Sequence, residues 1–138
     1  MSEQLNMTNK PAVLVVGEGL DEACKICAIL RAAGCEVCYV SSFEDGVGCL
    51  DHQFIDFVII SQGTRFFEGR SVLVRAIEKD RHLPVLVVTH SVDMSIYLEA
   101  MQLGALDYLE EPAIDGQILE LVASHTYDHA HSAQWQGF

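Results

Sequence analysis

Short apolar runs rich in valine and isoleucine alternate along this chain with stretches whose apolar residues recur at helical spacing. This regular alternation is typical of βαβ units built around a parallel sheet. It predicts strands at about Ala12 to Val16, Glu36 to Val40, Phe57 to Ile60, Val85 to Thr89 and Leu106 to Leu109. Strands that are apolar along their whole length need cover on both faces of the sheet. The chain therefore belongs to the α/β class, with helices on both sides of one parallel sheet.

The stretches between and after the strands are predicted as helices. They cover about Leu20 to Ala33, Phe43 to Asp51, Gly69 to Lys79, a helix capped by Ser91 that runs to Leu103, and a helix after Pro112. Gly34 and Gly104 end the first and fourth helices as C-terminal caps. Five such rounds favour a flavodoxin-like (βα)5 three-layer sandwich with sheet order 2-1-3-4-5, in which function lies beyond the carboxyl ends of the strands.

Length and charge limit the partners of such a domain. The 138 residues suit one domain, with a leader at 1–11, the domain at 12–125 and a tail or linker at 126–138. Twenty acidic residues against eight basic ones give a net charge of −12, and all basic residues lie at or before Arg81. Such a surface repels nucleic acid and anionic lipid, so partners should be basic or apolar proteins. The apolar runs fall far short of the roughly 20 residues that span a bilayer, so no membrane contact is expected.

The cysteines form two C-x-x-C strings, Cys24 to Cys27 and Cys35 to Cys38. The first lies in a predicted helix and the second on a predicted strand, where residues three apart point to opposite faces. Their four sulfurs should therefore not converge on a metal. We interpret the cysteines as buried thiols that act as small apolar side chains, reduced in a cytoplasm, and we expect neither a metal nor a cofactor.

Several strings share one order and spacing with a known family: Val13-Leu14-Val15-Val16, Gly34, Asp56-Phe57-Val58-Ile59-Ile60, Gly69, Pro84-Val85-Leu86-Val87-Val88-Thr89, Ala100, Gly104-Ala105 and Asp107-Tyr108-Leu109 with Pro112. As a set they resemble the receiver domain of two-component response regulators, across about Ala12 to Val122. The resemblance implies magnesium-dependent transfer of a phosphoryl group onto an aspartate. It also implies an acidic pair after the first strand, a hydroxyl residue ending the fourth strand and a lysine before the final proline.

This chain departs from the family at most of those positions. The acidic pair falls on Gly17 and Glu18, the acceptor aspartate on Ser61, the hydroxyl on Thr89 and the lysine on Glu111. Thr89 is the position that matches well. Gly63 lies in the loop beside the same pocket, and Tyr108 stands where the family has its switch aromatic.

The chemistry of those departures argues against phosphotransfer. Magnesium prefers carboxylate oxygens in near-octahedral geometry, and Ser61 cannot form an acyl phosphate. A unit-charge pair about 4 Å apart is worth about 4 kcal/mol at an effective dielectric constant of about 20, so Glu111 in place of lysine turns attraction into comparable repulsion. The sequence therefore predicts a pseudo-receiver that is not an enzyme, in which Ser61 and Thr89 share hydrogen bonds that fill the pocket.

Two alternatives remain open from the sequence. Ser61 could itself be modified, which would keep the domain switchable despite its acidic surroundings. Ser61, His90 and Glu111 end three neighbouring strands and could in principle form a Ser-His-Glu hydrolase site. The hydrolase is disfavoured because the chain around Ser61 lacks the G-x-S-x-G turn.

The fourth predicted helix is too apolar for one buried stripe. We assign its surplus apolar residues to a protein interface, with candidate residues Val92, Ile96, Leu98 and Leu103. In the receiver family the fourth helix, fifth strand and fifth helix form the surface that dimerises or changes partners. The resemblance thus implies a regulatory domain in bacterial signalling or transcription control. It would act by self-association or by binding a protein, possible partners including a C-terminal effector domain of a longer chain.

Overall fold

The computed structural model describes residues 10–17, 20–62, 66–110 and 116–125. Its centre is a five-stranded sheet in the order β2-β1-β3-β4-β5, with every neighbouring pair parallel. The strands are β1 (Ala12–Gly17), β2 (Glu36–Val40), β3 (Phe57–Gln62), β4 (Val85–Thr89) and β5 (Asp107–Glu110). The flavodoxin-like order 2-1-3-4-5 expected from the sequence is confirmed.

The helices fall where the apolar spacing predicts them. They are α1 (Leu20–Ala32), α2 (Phe43–His52), α3 (Arg70–Lys79), α4 (Met94–Leu103) and a helix over residues 116–125, called α5. Gly34 and Gly104 have φ values of 93° and 108°, in the left-handed region that favours glycine, so both end their helices as expected. None of the helices within the described residues is long and apolar enough to cross a membrane.

Two apolar layers hold the helices to opposite faces of the sheet. On one face, α2, α3 and α4 bury residues such as Leu50, Leu73, Ala76, Ile96 and Ala100. On the other face, α1 and α5 bury Ala23, Ile26, Leu30, Ile118 and Val122. The strands supply alternate side chains to the two layers, because successive residues of a strand point to opposite faces. The central strands β1, β3 and β4 therefore carry continuous apolar runs, and the three-layer sandwich is confirmed.

Two element boundaries differ from the sequence expectation. β3 continues through Ser61 and Gln62 instead of ending at Ile60, because Ser61 pairs with Gly17 on one side and Val88 on the other. The N-cap of α4 is Asp93 rather than Ser91. A carboxylate oxygen of Asp93 accepts hydrogen bonds from the backbone amides of Ser95 and Ile96, at 2.8 and 3.2 Å. These are amides that a helix leaves unsatisfied at its N-terminus.

Helix α2 contains two glycines and relies on its neighbours. A β-carbon built on Gly46 would lie 2.9 Å from Cγ2 of Val16, so the glycine lets α2 approach the sheet closely. The Lys79 side chain of α3 donates hydrogen bonds to the backbone carbonyls of Leu50 and Gln53, where α2 ends. A cation at these carbonyls satisfies C-terminal acceptors and complements the negative end of the helix dipole. Tertiary contacts thus compensate for the low intrinsic helix propensity of α2.

Candidate functional site

The carboxyl ends of the parallel strands bring three of the predicted site residues onto one edge of the sheet. Gly17 is the last residue of β1 and pairs with Ser61 of β3. Thr89 is the last residue of β4 and lies between Gln62 and Glu110 in the ladder. The order of the strands reverses between β1 and β3, so Gly17 and Ser61 mark the point where such sheets bind ligands.

Gly17 and Ser61 pack against each other without space for another atom. A β-carbon built on Gly17 would lie 2.7 Å from Cβ of Ser61, closer than non-bonded carbons approach, so a side chain here would force a shift. The Tyr39 hydroxyl donates a hydrogen bond of 3.0 Å to the Gly17 carbonyl. Burial, together with the nearby Cys24 and Cys27 thiols, raises the pKa of Tyr39 above its ordinary value. Tyr39 therefore keeps its hydroxyl proton and remains a hydrogen-bond donor at neutral pH. Ser61, which packs against Gly17, is only 8% exposed.

The Thr89 hydroxyl is engaged with the segment that follows it. Its oxygen donates to the Ser91 carbonyl at 3.0 Å and accepts from the Ser91 backbone amide at 3.2 Å. The sequence predicts a hydrogen bond between Thr89 and Ser61. In the structure the Thr89 hydroxyl instead bonds to the backbone of Ser91. Such a local turn uses both the donor and an acceptor position of the hydroxyl.

Tyr108 connects β5 to the start of α4. Its ring is buried, and it meets the Tyr97 ring edge-to-face at 5.8 Å between centroids and 75° between planes. The hydroxyl of Tyr108 accepts a hydrogen bond of 3.2 Å from the backbone amide of Asp93, the N-cap of α4. The residue that the resemblance assigns to the switch aromatic is therefore anchored on the inside of the domain.

The described part of this edge does not fit a magnesium ion. Of the strand-end positions that the resemblance assigns to metal ligands, Gly17 has no side chain and Ser61 offers a hydroxyl in place of a carboxylate. Glu18, Gly63 and Glu111, the other predicted pocket residues, lie outside the described residues. Within residues 10–17, 20–62, 66–110 and 116–125, no three His, Cys, Asp or Glu side chains come together in a group that could hold a metal ion. Hard divalent cations need several oxygen ligands, which Gly17 and Ser61 do not supply.

The alternative hydrolase arrangement has poor register. Ser61 pairs with Val88, whereas His90 lies two residues further along the chain. Two residues of strand correspond to roughly 6.6 Å, so the two side chains start from different levels of the edge. Ser61 is buried and His90 is exposed. A nucleophile and its base must be within hydrogen-bond reach, and this arrangement does not favour that contact.

Helix α4 carries a second candidate site, an apolar surface. Val92, Met94 and Leu98 are 48%, 63% and 54% exposed, and we call these three residues the α4 surface. Ile96, predicted to belong to the interface, is instead buried in the core, and Leu103 is half-buried against the same core. Both residues lie on the helix side that packs on the sheet, which excludes Ile96 as a contact residue. Met94 replaces it, and its spacing of four residues from Leu98 on one helix face is the signal that identifies it.

Comparison with known proteins shows which regulators and which solved structures this chain is similar to. The chain is 27% identical over 120 residues to the transcriptional regulatory protein ZraR of Escherichia coli, covering 87% of this chain and 27% of ZraR. It is 27% identical over 121 residues to the transcriptional regulatory protein FixJ of Bradyrhizobium diazoefficiens, covering 86% of this chain and 58% of FixJ. A CheY-like response regulator receiver domain protein from Methanospirillum hungatei matches with a TM-score of 0.80 at 17% identity, over 89% of this chain and 98% of that structure. No family model matches the sequence.

The sequence relatives and the shared fold make this chain similar to CheY-like receiver domains of response regulators. The more specific likeness is to transcriptional regulators, of which ZraR and FixJ are two. The chain spans about a quarter of the length of ZraR and somewhat over half of the length of FixJ. The likeness therefore concerns one domain of those proteins.

Proposed function

We propose that this chain is a receiver-like regulatory domain of bacterial signalling or transcription control that works in the cytoplasm without aspartyl phosphorylation. It acts by binding a protein partner or a second copy of itself through the α4 surface and the adjoining β5 and α5. An effector domain in a longer chain is one form that partner can take. The domain itself catalyses no reaction.

The contact between Gly17 and Ser61 carries the proposal. The family chemistry needs carboxylates at both positions, yet a single added carbon at Gly17 already meets Ser61 at 2.7 Å. A carboxylate at position 17 requires this edge of the sheet to separate. The close contact of these two small residues supports a packed strand edge in place of a ligand site at both positions.

The hydrogen bonds around Thr89 and Tyr108 support the same proposal. In the family a hydroxyl at the end of the fourth strand takes part in the chemistry, whereas the Thr89 hydroxyl here closes a turn with Ser91. Tyr108 is buried and anchored to the amide of Asp93 without any phosphoryl group. One conformation of the start of α4 is thus stabilised by contacts inside the domain, so no ligand is needed to select it.

The exposure of the α4 surface supports the interaction part of the proposal. Large apolar side chains in solvent at adjacent positions mark a contact surface more often than isolated ones do. The one ion pair that α4 makes within the described residues joins Glu99 to Arg70 of α3 at 3.0 Å. Beyond Arg81 the sequence contains no lysine or arginine. An interface along α4, β5 and α5 therefore relies on apolar contact, or on cations that the partner supplies.

The first experiment tests independence from phosphorylation. The protein is incubated with magnesium and a small phosphodonor such as acetyl phosphate, and its intact mass is measured under conditions that preserve acyl phosphates. An authentic receiver domain in the same reaction provides the positive control. We expect the mass of this chain to remain unchanged while the control gains one phosphoryl group. A phosphoryl adduct on this chain, mapped to Ser61 or to any acidic residue of the strand edge, would contradict the proposal.

The second experiment tests the α4 surface. Leu98→Glu places a charge in the middle of this surface, and sedimentation or light scattering measures self-association. Phe54→Glu is the matched control, since Phe54 is 75% exposed on the connection between α2 and β3. We expect Leu98→Glu to weaken assembly at least tenfold and Phe54→Glu to leave it unchanged. Equal behaviour of the two variants would count against an interface on α4.

A further inference from the structure

Two cysteines that do not share a C-x-x-C string lie in contact beside β2, the outermost strand on one side of the sheet. The Sγ atoms of Cys38 on β2 and Cys49 on α2 are 3.6 Å apart. In the sequence, Cys38 forms a C-x-x-C string with Cys35, which directly precedes β2. The fold instead directs Cys38 and Cys49 into the same side of the sheet, where both pack on the layer that α2, α3 and α4 cover.

Their position leaves both sulfurs within reach of small molecules. β2 is the edge strand of the sheet, and both cysteines are only partly buried. The sulfur atoms already touch at about the sum of their van der Waals radii, and they would have to approach by roughly 1.6 Å to reach the length of a disulfide bond. In the cytoplasm, disulfides that do form are mostly transient and redox-sensing.

We propose that Cys38 and Cys49 form a reversible disulfide when the domain meets a peroxide. The Cys38 sulfur attacks one peroxide oxygen, the O–O bond breaks, the released hydroxide takes up the proton of the Cys38 thiol and becomes water, and Cys38 is left as a sulfenic acid. The Cys49 sulfur then attacks the Cys38 sulfur, the S–O bond breaks, and the thiol proton of Cys49 leaves with the hydroxyl group as a second water. Each sulfur gives up one electron, and the peroxide takes both. A small dithiol reverses the reaction by exchange.

The surroundings of Cys49 slow the second of these steps, so the contact between the two sulfurs has to favour it. Burial, the contact with the Cys38 thiol and the negative charge of Asp45 raise the pKa of Cys49 from 9.0 to about 11. The raised pKa keeps Cys49 mostly protonated at neutral pH, and because the thiolate is the attacking form, the second step relies on the contact with Cys38 rather than on the intrinsic reactivity of Cys49. Gln53 also contacts the Cys49 sulfur through its side-chain amide, at 4.0 Å.

The crosslink would stiffen the connection between β2 and α2. It joins residues 11 positions apart and encloses Ser42, the N-cap of α2. Tyr39, next to Cys38 in the chain, donates to the Gly17 carbonyl. Oxidation would thus fix β2, α2 and one partner of Gly17 in one unit. This inference is independent of the proposed function, because it concerns the opposite edge of the sheet from the α4 surface.

The experiment treats the whole chain with hydrogen peroxide, alkylates the remaining thiols and cleaves after glutamate. Cleavage at Glu36 and Glu44 places Cys35, Cys38 and Cys49 on three different peptides. We expect a peptide pair joined through Cys38 and Cys49, about 2 Da lighter than the sum of the reduced peptides and separated by dithiothreitol. The oxidised protein should also melt on the order of 10 °C higher, because the crosslink restricts the unfolded chain.

Two variants serve as controls. Cys49→Ser should lose the joined peptides, whereas Cys35→Ser, which removes another partly buried cysteine of the same region, should keep them. Oxidation that is confined to Cys24, or that joins any other pair of cysteines, would overturn the proposal. The peptide map of the unsubstituted chain decides this even where a variant folds poorly.

Discussion

At the carboxyl ends of β1, β3 and β4, small and polar side chains pack against neighbouring backbone, whereas α4 and the segment just before it leave three large apolar side chains in solvent. The first region has the position of a ligand site and the packing of a core: Gly17 touches Ser61, and Thr89 closes its own turn. The second region has no chemically reactive group, yet its apolar side chains lack cover within the described residues. The contrast teaches that substitutions in the two regions should fail in different ways, the first in stability and the second in assembly.

Among the substitutions that leave the domain folded, the largest effect on stability is expected at Gly17. Gly17→Ala places a β-carbon against Ser61 and should lower the free energy of unfolding by roughly 1 to 3 kcal/mol, as overpacking does in other cores. Urea or thermal denaturation measures it. Gly48→Ala is the matched control, since nothing lies within 4 Å of a β-carbon at that helical position. There the same change should stabilise the protein by roughly 0.5 to 1 kcal/mol. If both substitutions stabilise the domain, the strand edge is not packed as described.

A smaller effect is expected at Tyr108. Tyr108→Phe removes the hydroxyl that accepts the amide hydrogen of Asp93, and it should cost roughly 0.5 to 1.5 kcal/mol of stability. The control is Tyr97→Phe, which makes the same chemical change on the ring that contacts Tyr108. Tyr97 has no hydrogen bond through its hydroxyl among the described residues, so its loss should cost little. Equal costs for the two variants would mean that Tyr108 does not anchor α4 through its hydroxyl.

The smallest effect on stability is expected at Leu98. Leu98→Glu alters an exposed position and should change the free energy of unfolding of the monomer by less than about 0.5 kcal/mol. Denaturation at a concentration where the protein is monomeric measures this. Ile96 lies two positions earlier on the side of α4 that faces the core. Ile96→Glu should therefore unfold the domain, because Ile96 is buried. A large cost for Leu98→Glu would show that Leu98 belongs to the core and would remove the distinction between the two regions.

The fold follows from the sequence because its dominant signal is redundant. The strands β1, β3 and β4 each contain an apolar run that no turn residue interrupts, and both helix-ending glycines have the positive φ that their position requires. The errors occur where two readings have similar local energy. Ser61 and Gln62 resemble the start of a loop, yet pairing with Gly17 and Val88 keeps Ser61 in the strand. Ser91 and Asp93 are both good caps, and the amides of Ser95 and Ile96 reach Asp93.

The candidate site is predictable only in part. The strand order places Gly17, Ser61 and Thr89 at one edge, and this follows from the pattern alone. The hydrogen bonds of Thr89 with Ser91 do not, because they depend on the path of the loop after β4. Helical spacing alone cannot tell that Ile96 faces the sheet while Leu98 faces solvent. The contact between Cys38 and Cys49 depends on how α2 docks, which no spacing along the chain encodes.

The hydrogen bonds that Lys79 of α3 donates to the end of α2 have a consequence for the order in which the domain folds. Helix α2 contains Gly46 and Gly48, and its final carbonyls take hydrogen bonds from Lys79, which lies beyond β3 in the chain. A helix this poor in intrinsic propensity gains its last turn only after α3 has docked beside it. The two helices should therefore open and close as one cooperative unit, and native-state hydrogen exchange should find their amides released together.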